Sequence, residues 1–119
     1  MAEHNELGKK GEEEAIAYLR KKGYDILETN YRFQNAEVDI VARKNNLIIA
    51  VEVKTRSTAE FGDPQDAVKK KKINLMVQAM DDYLNKNKID LEIQFDIIAI
   101  IKNKLGTRIE HLEDAFYHF

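Results

Sequence analysis

Three charged residues sit inside otherwise apolar runs, and their types and spacing can do chemistry. Asp39 lies in Glu37-Val38-Asp39-Ile40-Val41, and Glu52 and Lys54 lie in Ile48-Ile49-Ala50-Val51-Glu52-Val53-Lys54. Charge inside an apolar strand is costly unless it is paired or coordinates a metal. Between the runs, Lys44-Asn45-Asn46-Leu47 reads as a hairpin turn, because Asn tolerates positive φ. With Asn45 and Asn46 as the loop, Lys44 faces Leu47, Asp39 faces Glu52, and Glu37 faces Lys54. A three-residue loop would shift that pairing. Directly opposed residues hold their Cβ atoms roughly 4.5–5.5 Å apart. Two carboxylates that close repel, so one is pushed towards protonation unless a divalent cation lies between them. Hard oxygen ligands favour magnesium, manganese or calcium over zinc. A lysine two residues beyond Glu52, on the same face, can orient or activate a water or stabilise phosphate charge. The competing reading is a structural ion pair, of Lys54 with Glu52 or with Glu37.

These residues need elements to hold them. Strand alternation places Ile48, Ala50, Glu52 and Lys54 on one face and Leu47, Ile49, Val51 and Val53 on the other. Apolar residues on both faces predict a central strand covered on each side. Ahead of the hairpin, a helix is predicted from about Glu6 to Lys22, stopped by Gly23, and a strand from Tyr24 to Phe33, interrupted at Asn30. After it come a loop over Ser57 to Asp66 and a helix from about Gln65 to Asn85, with Val68, Leu75, Ala79 and Tyr83 at roughly helical spacing. Leu91 to Ile101 is an apolar strand, Asn103 to Gly106 a turn, and Thr107 to Leu112 an edge strand. The order αβββαβ predicts an α/β fold with a mixed central sheet and helices on both faces.

On the first helix, Gly8, Glu12, Ala15 and Leu19 fall on one stripe, which would turn the Glu12 carboxylate towards the sheet. An ordinary solvated charge in the helix explains Glu12 equally well. Glu13 and Glu14 lie off the stripe and read as solvated. Lys69 to Lys72 point in four directions about 100° apart, so they do not share one ligand. Asp96, in an apolar strand, reads as structural, bonding backbone or a basic residue. Tyr31, Phe33 and Phe61 can stack on bases, but core packing is the commoner fate of such rings. The aromatic tail from Phe116 to Phe119 suits a core cover or a dimer contact.

Composition narrows the classes. The 119 residues suffice for one domain with one core, and 44% are hydrophobic, which excludes a disordered chain. The chain has no cysteine, hence no disulfide framework and no thiolate metal site. His4, His111 and His118 lie near the ends, which argues against a His-rich zinc site. No apolar run spans a membrane and no signal peptide is visible, so a cytoplasmic protein is expected. The net charge of −2 is not the footprint of a dedicated nucleic-acid binder. Charge is uneven, however. Acid gathers at Glu12 to Glu14 and Asp81-Asp82, and base at Lys69 to Lys72 and around Arg43, Lys44, Lys54 and Arg56. A local basic surface can bind phosphates on a globally acidic protein.

Asp39, twelve intervening residues, then Glu52-Val53-Lys54 resembles the PD-(D/E)xK nuclease signature. A wider set surrounds it: Gly8-x-x-Gly11-Glu12-x-x-Ala15, Tyr18-Leu19, Gly23-Tyr24, Asn30-x-Arg32, Phe61-Gly62-Asp63-Pro64, Ala67-Val68, Lys72 and Phe95-Asp96. From about Leu7 to Ile101 the chain is similar to the YraN family of small bacterial proteins, an uncharacterised family related to archaeal Holliday-junction resolvases. One departure is Ala36, where the family usually has Gly. It bears on a local bulge or turn and leaves the acidic residues in place.

The resemblance implies a restriction-endonuclease-like core in a single nuclease-like domain over 1–119. It implies Mg²⁺ or Mn²⁺ held by Asp39 and Glu52, with the Val53 backbone carbonyl as a further ligand and Glu12 acting directly or through water. Lys54 would position the attacking water. Arg56, Gln65 and Lys72 would meet phosphates. The implied substrate is DNA, branched or junction DNA included, and the implied assembly a homodimer. The alternative is a non-catalytic module on the same fold, binding nucleic acid or protein as an accessory to DNA repair or uptake.

Overall fold

The computed structural model describes residues 2–57 and 69–116, with side chains from residue 8 onward. The order is α1 (Ala2–Lys21), β1 (Asp25–Phe33), β2 (Ala36–Lys44), β3 (Leu47–Arg56), α2 (Lys70–Lys86), β4 (Glu92–Asn103) and β5 (Gly106–Leu112). The five strands form one sheet in the order β1-β2-β3-β4-β5. β3 and β4 run parallel and the other neighbours antiparallel, so the sheet is mixed. This is an α/β fold with helices on both faces, compatible with a restriction-endonuclease-like core.

Alternation along β3 builds the two layers as the sequence predicts. Ile48 and Ala50 pack with Phe95 and Ile97 of β4 under Met76, Ala79, Met80 and Tyr83 of α2. Ile49 and Val51 pack with Ile98 and Ile100 under Ala15 and Leu19 of α1. β3 is therefore buried on both faces, as an apolar run flanked by two other strands must be. The aromatic residues mostly go to the core. Tyr31 packs edge-on against Tyr83 at 5.1 Å between ring centroids, and Phe33 joins the same cluster. Phe116 closes over Phe95, while the rest of the tail and Phe61 lie outside the described residues.

Helix ends are set by local chemistry. Gly23 takes φ +90°, and its N–H donates to the Arg20 carbonyl while the Tyr24 N–H donates to the Leu19 carbonyl. That Schellman closure satisfies two terminal carbonyls and turns Tyr24 back onto Leu19. The second helix begins later than its spacing predicts. Lys69 is extended at φ −77°, ψ 154°, so α2 starts at Lys70 rather than near Gln65. Val68 and Gln65 lie outside the described residues.

The buried stripe of α1 also differs in detail. Gly11, Ala15 and Leu19 are buried, while Gly8 and Glu12 are half-buried beside them. Gly11 lies against Thr55 of β3: a Cβ built there would sit 1.9 Å from Thr55 Oγ1. The missing side chain lets the α1 backbone approach the end of β3. Glu14, expected in solvent, is half-buried and pairs with Lys102 of β4.

Thr is stiff at χ1, so Thr55 has little room to yield. Gly11→Ala is expected to lower stability in urea denaturation by about 1–2 kcal/mol through overpacking, and adding Thr55→Ala is expected to restore most of it.

Candidate functional site

The acidic pair sits where the sheet comes apart. The β2–β3 ladder runs from Lys44↔Leu47 to Ile40↔Val51 and stops there. The two-residue Asn45-Asn46 loop is as expected, with Asn45 at φ 56°. One step further, Asp39 and Glu52 would face each other, but β2 turns away. On the other side of β2, Thr29 pairs with Ile40 and Tyr31 with Val38, leaving Asn30 and Asp39 outside the register. Asn30 takes φ 52°, which lets β1 follow the change. Side-chain alternation breaks at the same point: Val38 packs under α2, but Ile40 packs under α1.

This divergence removes two predicted ladder pairs, Asp39 with Glu52 and Glu37 with Lys54. Glu37 does not face Lys54. It sits opposite Arg32 of β1 and pairs with it at 2.9 Å. The cause is the loss of β2–β3 pairing beyond Ile40, which carries Glu37 away from β3.

Asp39 fills the gap with its side chain. Its Oδ2 accepts the backbone N–H of Val53 at 2.8 Å, replacing a ladder bond that β2 no longer supplies. Glu52 is 2% exposed and, by strand alternation, lies on the α2 side of the sheet. Lys72 reaches in from α2 and places Nζ 2.8 Å from Glu52 Oε2. The contact is an ion pair without good hydrogen-bond direction, so Oε2 keeps an unfilled acceptor position in a dry site.

The electrostatics follow from this crowding. Burial, then the neighbouring Glu52 carboxyl, push Asp39 up to about 8, against the opposing pull of the Val53 N–H. Burial would also raise Glu52, but the Asp39 carboxyl beside it, the close Lys72 ammonium and the charge of Lys54 hold it below its ordinary value. The pair therefore shares one proton near neutral pH: Asp39 holds it and Glu52 is ionised. Glu12 is raised by burial and then by Glu37 and Glu52, which places its carboxylate in the field of the same cluster. Of the two readings of Glu12, the sheet-facing one fits. α1 contributes a carboxylate and α2 an ammonium to one opening between the strands.

The remaining predicted residues are distributed around this opening. Val53 follows Glu52 in β3, and its N–H is taken by Asp39. Lys54, half-buried on the next turn of the pleat, is close enough to stabilise the Glu52 charge. Arg56 ends β3 and is half-buried. Gln65 lies outside the described residues.

A second group was not foreseen as a cluster. Asp96, His111 and Glu113 offer ligand atoms within 4.8 Å of one another, a set that can hold a metal ion. Counting back along β4 and β5 from the Asn103↔Gly106 pair would have set Asp96 across from Glu113, one diagonal from His111. Asp96 is nevertheless well supplied with partners. Its Oδ1 accepts Gln94 Nε2 and the Asp114 N–H, and its Oδ2 lies 2.7 Å from His111 Nε2. His111 Nδ1 lies 3.0 Å from the Tyr18 hydroxyl. Asp96 thus bonds backbone and a basic residue, the structural role its sequence context suggests, and ties β4 and β5 to α1.

The fold and the opening define a class: a small α/β protein whose central sheet parts around a buried pair of carboxylates. The chain belongs to Uncharacterised protein family UPF0102, whose pattern it matches over residues 11–100. It is 64% identical over 119 residues to a UPF0102 protein of Christiangramia forsetii, covering both chains fully. Over 119 residues it is 59% identical to UPF0102 protein FP2501 of Flavobacterium psychrophilum, again covering both chains. A UPF0102 protein of Phocaeicola vulgatus is 51% identical over 117 residues, 98% of this chain and 97% of the relative.

The Asp39 proton has a measurable consequence. The unfolded chain releases it near the ordinary carboxyl value of 3.8, whereas the folded protein keeps it to about 8. Across that window the folded state binds more protons, so this group's contribution to stability falls as pH rises. Asp39→Asn is expected to flatten that decline in metal-free denaturation curves between pH 5 and 8.

Proposed function

We propose that this protein is a metal-dependent nuclease that hydrolyses phosphodiester bonds in DNA. One observation carries the reading: Asp39 and Glu52 converge where β2 leaves β3, with Lys54 two residues on from Glu52. The donor set fits a hard divalent cation. It consists of oxygens, and Glu52 Oε2 is a buried acceptor without a well-directed hydrogen bond. Asp39 and Glu52 would hold Mg²⁺ or Mn²⁺, the Val53 carbonyl would add an oxygen, and Glu12 would act directly or through water. When bound, the cation would supply charge stabilisation to the scissile phosphate.

The chain's own residues do the rest. Lys54 positions the attacking water and stabilises negative charge at the phosphate. Arg56, Lys72 and Gln65 meet phosphates along the strand. Gln65 stays in this role on the sequence pattern alone. The whole chain would act as one nuclease-like domain in the cytoplasm. A homodimer would set two such sites against the two strands of branched DNA.

A second reading is a non-catalytic module on the same fold, binding DNA or protein as an accessory to repair or uptake. The net charge of −2 favours it, because a negative surface weakens DNA affinity at physiological salt.

Labelled single-stranded, duplex and four-way DNA, incubated with Mg²⁺ or Mn²⁺, separates the two. The nuclease reading expects metal-dependent cutting of one substrate. It further expects Lys54→Met to lose about 100-fold or more in turnover while still binding Mn²⁺ in calorimetry. Binding of DNA without cutting, unchanged in Lys54→Met, would favour the accessory module.

A further inference from the structure

The nuclease reading leaves one pair unexplained. Lys72 offers a phosphate-binding charge, yet its ammonium lies 2.8 Å from Glu52 Oε2, inside the carboxylate site. We propose that Lys72 is a built-in placeholder: its ammonium occupies the cation position, a divalent metal displaces it, and the released side chain turns to the substrate phosphate. The proposal rests on the metal-site reading above and adds to it how the site is kept charged, dry and reversible before loading.

Burial sets the need. The Glu52 side chain is 3% exposed, and a buried carboxylate without a counter-charge is strongly destabilising. The Lys72 ammonium, 2.8 Å from Glu52 Oε2, supplies that counter-charge. Lys72 does so from outside: its side chain is 40% exposed, so the stem spans from solvent to the buried oxygen.

Geometry makes the placeholder removable. The ion pair lacks good hydrogen-bond direction, so exchanging it forfeits Coulomb attraction and no well-formed bond. A divalent ion brings twice the charge to the same oxygens. The released ammonium has a destination, because Lys72 lines an open surface groove with Lys69, Lys71 and Leu75. A lysine on a flexible four-carbon stem is suited to such an exchange, since its charge moves without backbone motion.

The test is calorimetric titration of Mn²⁺ alone into wild type, Lys72→Met, Lys71→Met and Asp39→Asn at fixed pH and salt. Lys71→Met makes the same charge change on the same helix at an exposed position. Denaturation curves with and without Mn²⁺ accompany each titration. Lys72→Met is expected to bind Mn²⁺ about tenfold more tightly than wild type, and Lys71→Met to differ little. Without metal, Lys72→Met is expected to be less stable than wild type and to gain more stability from Mn²⁺. If Lys72→Met does not fold, Lys72→Gln, which keeps a donor but no charge, is expected to show the same tightening. Equal or weaker binding in the Lys72 variants, with wild-type binding that Asp39→Asn abolishes, would overturn the placeholder and leave the metal site standing. Absence of Mn²⁺ binding in all four proteins would overturn both.

Discussion

Two carboxylates cannot both stay ionised in a dry gap, and much of this structure answers that constraint. Asp39 takes a proton and a backbone N–H. Glu52 takes Lys72 and the field of Lys54. Neither residue is explained by packing alone, because apolar side chains of similar size would fill the same volume without these partners. The pair persists at a place where the sheet has been opened for it. β2 gives up its pairing with β3 beyond Ile40, and β1 bends with it through Asn30.

The layers converge on that opening from both sides. Gly11 lets α1 lie close to Thr55, which brings Glu12 into the field of the cluster. On the other face, Met76, Ala79, Met80 and Tyr83 seat α2 on the sheet, and Lys72 projects from its first turn to Glu52. Farther along β4, Asp96 braces the opposite edge through His111 and the Asp114 backbone. The strands and two helices thus bring together Glu12, Asp39, Glu52, Lys54 and Lys72, which no single element could hold.

Much of this was legible in the sequence because alternation and turn chemistry are local. The Asn-Asn loop sets the hairpin register, and the apolar run of β3 requires cover on both faces. Where the reading failed, the cause was non-local. Nothing between residues 36 and 44 signals that β2 leaves its partner at Asp39, so Glu37 was set against Lys54 instead of Arg32. Lys72 read as a phosphate contact and not as a partner of Glu52, because only the docking of α2 brings the two together. Glu14 read as solvated because its partner, Lys102, lies 88 residues away in β4. The β4–β5 hairpin count did contain the Asp96 and His111 proximity.

The most direct test of the central claim is the carboxyl ¹³C shift of Asp39, followed by NMR from pH 4 to pH 10 in metal-free protein. A midpoint of about 8 is expected, with Glu52 titrating below its ordinary value. Titration of Asp39 near the ordinary carboxylate value would contradict a shared proton, and with it the view that β2 and β3 part around a coupled acidic pair.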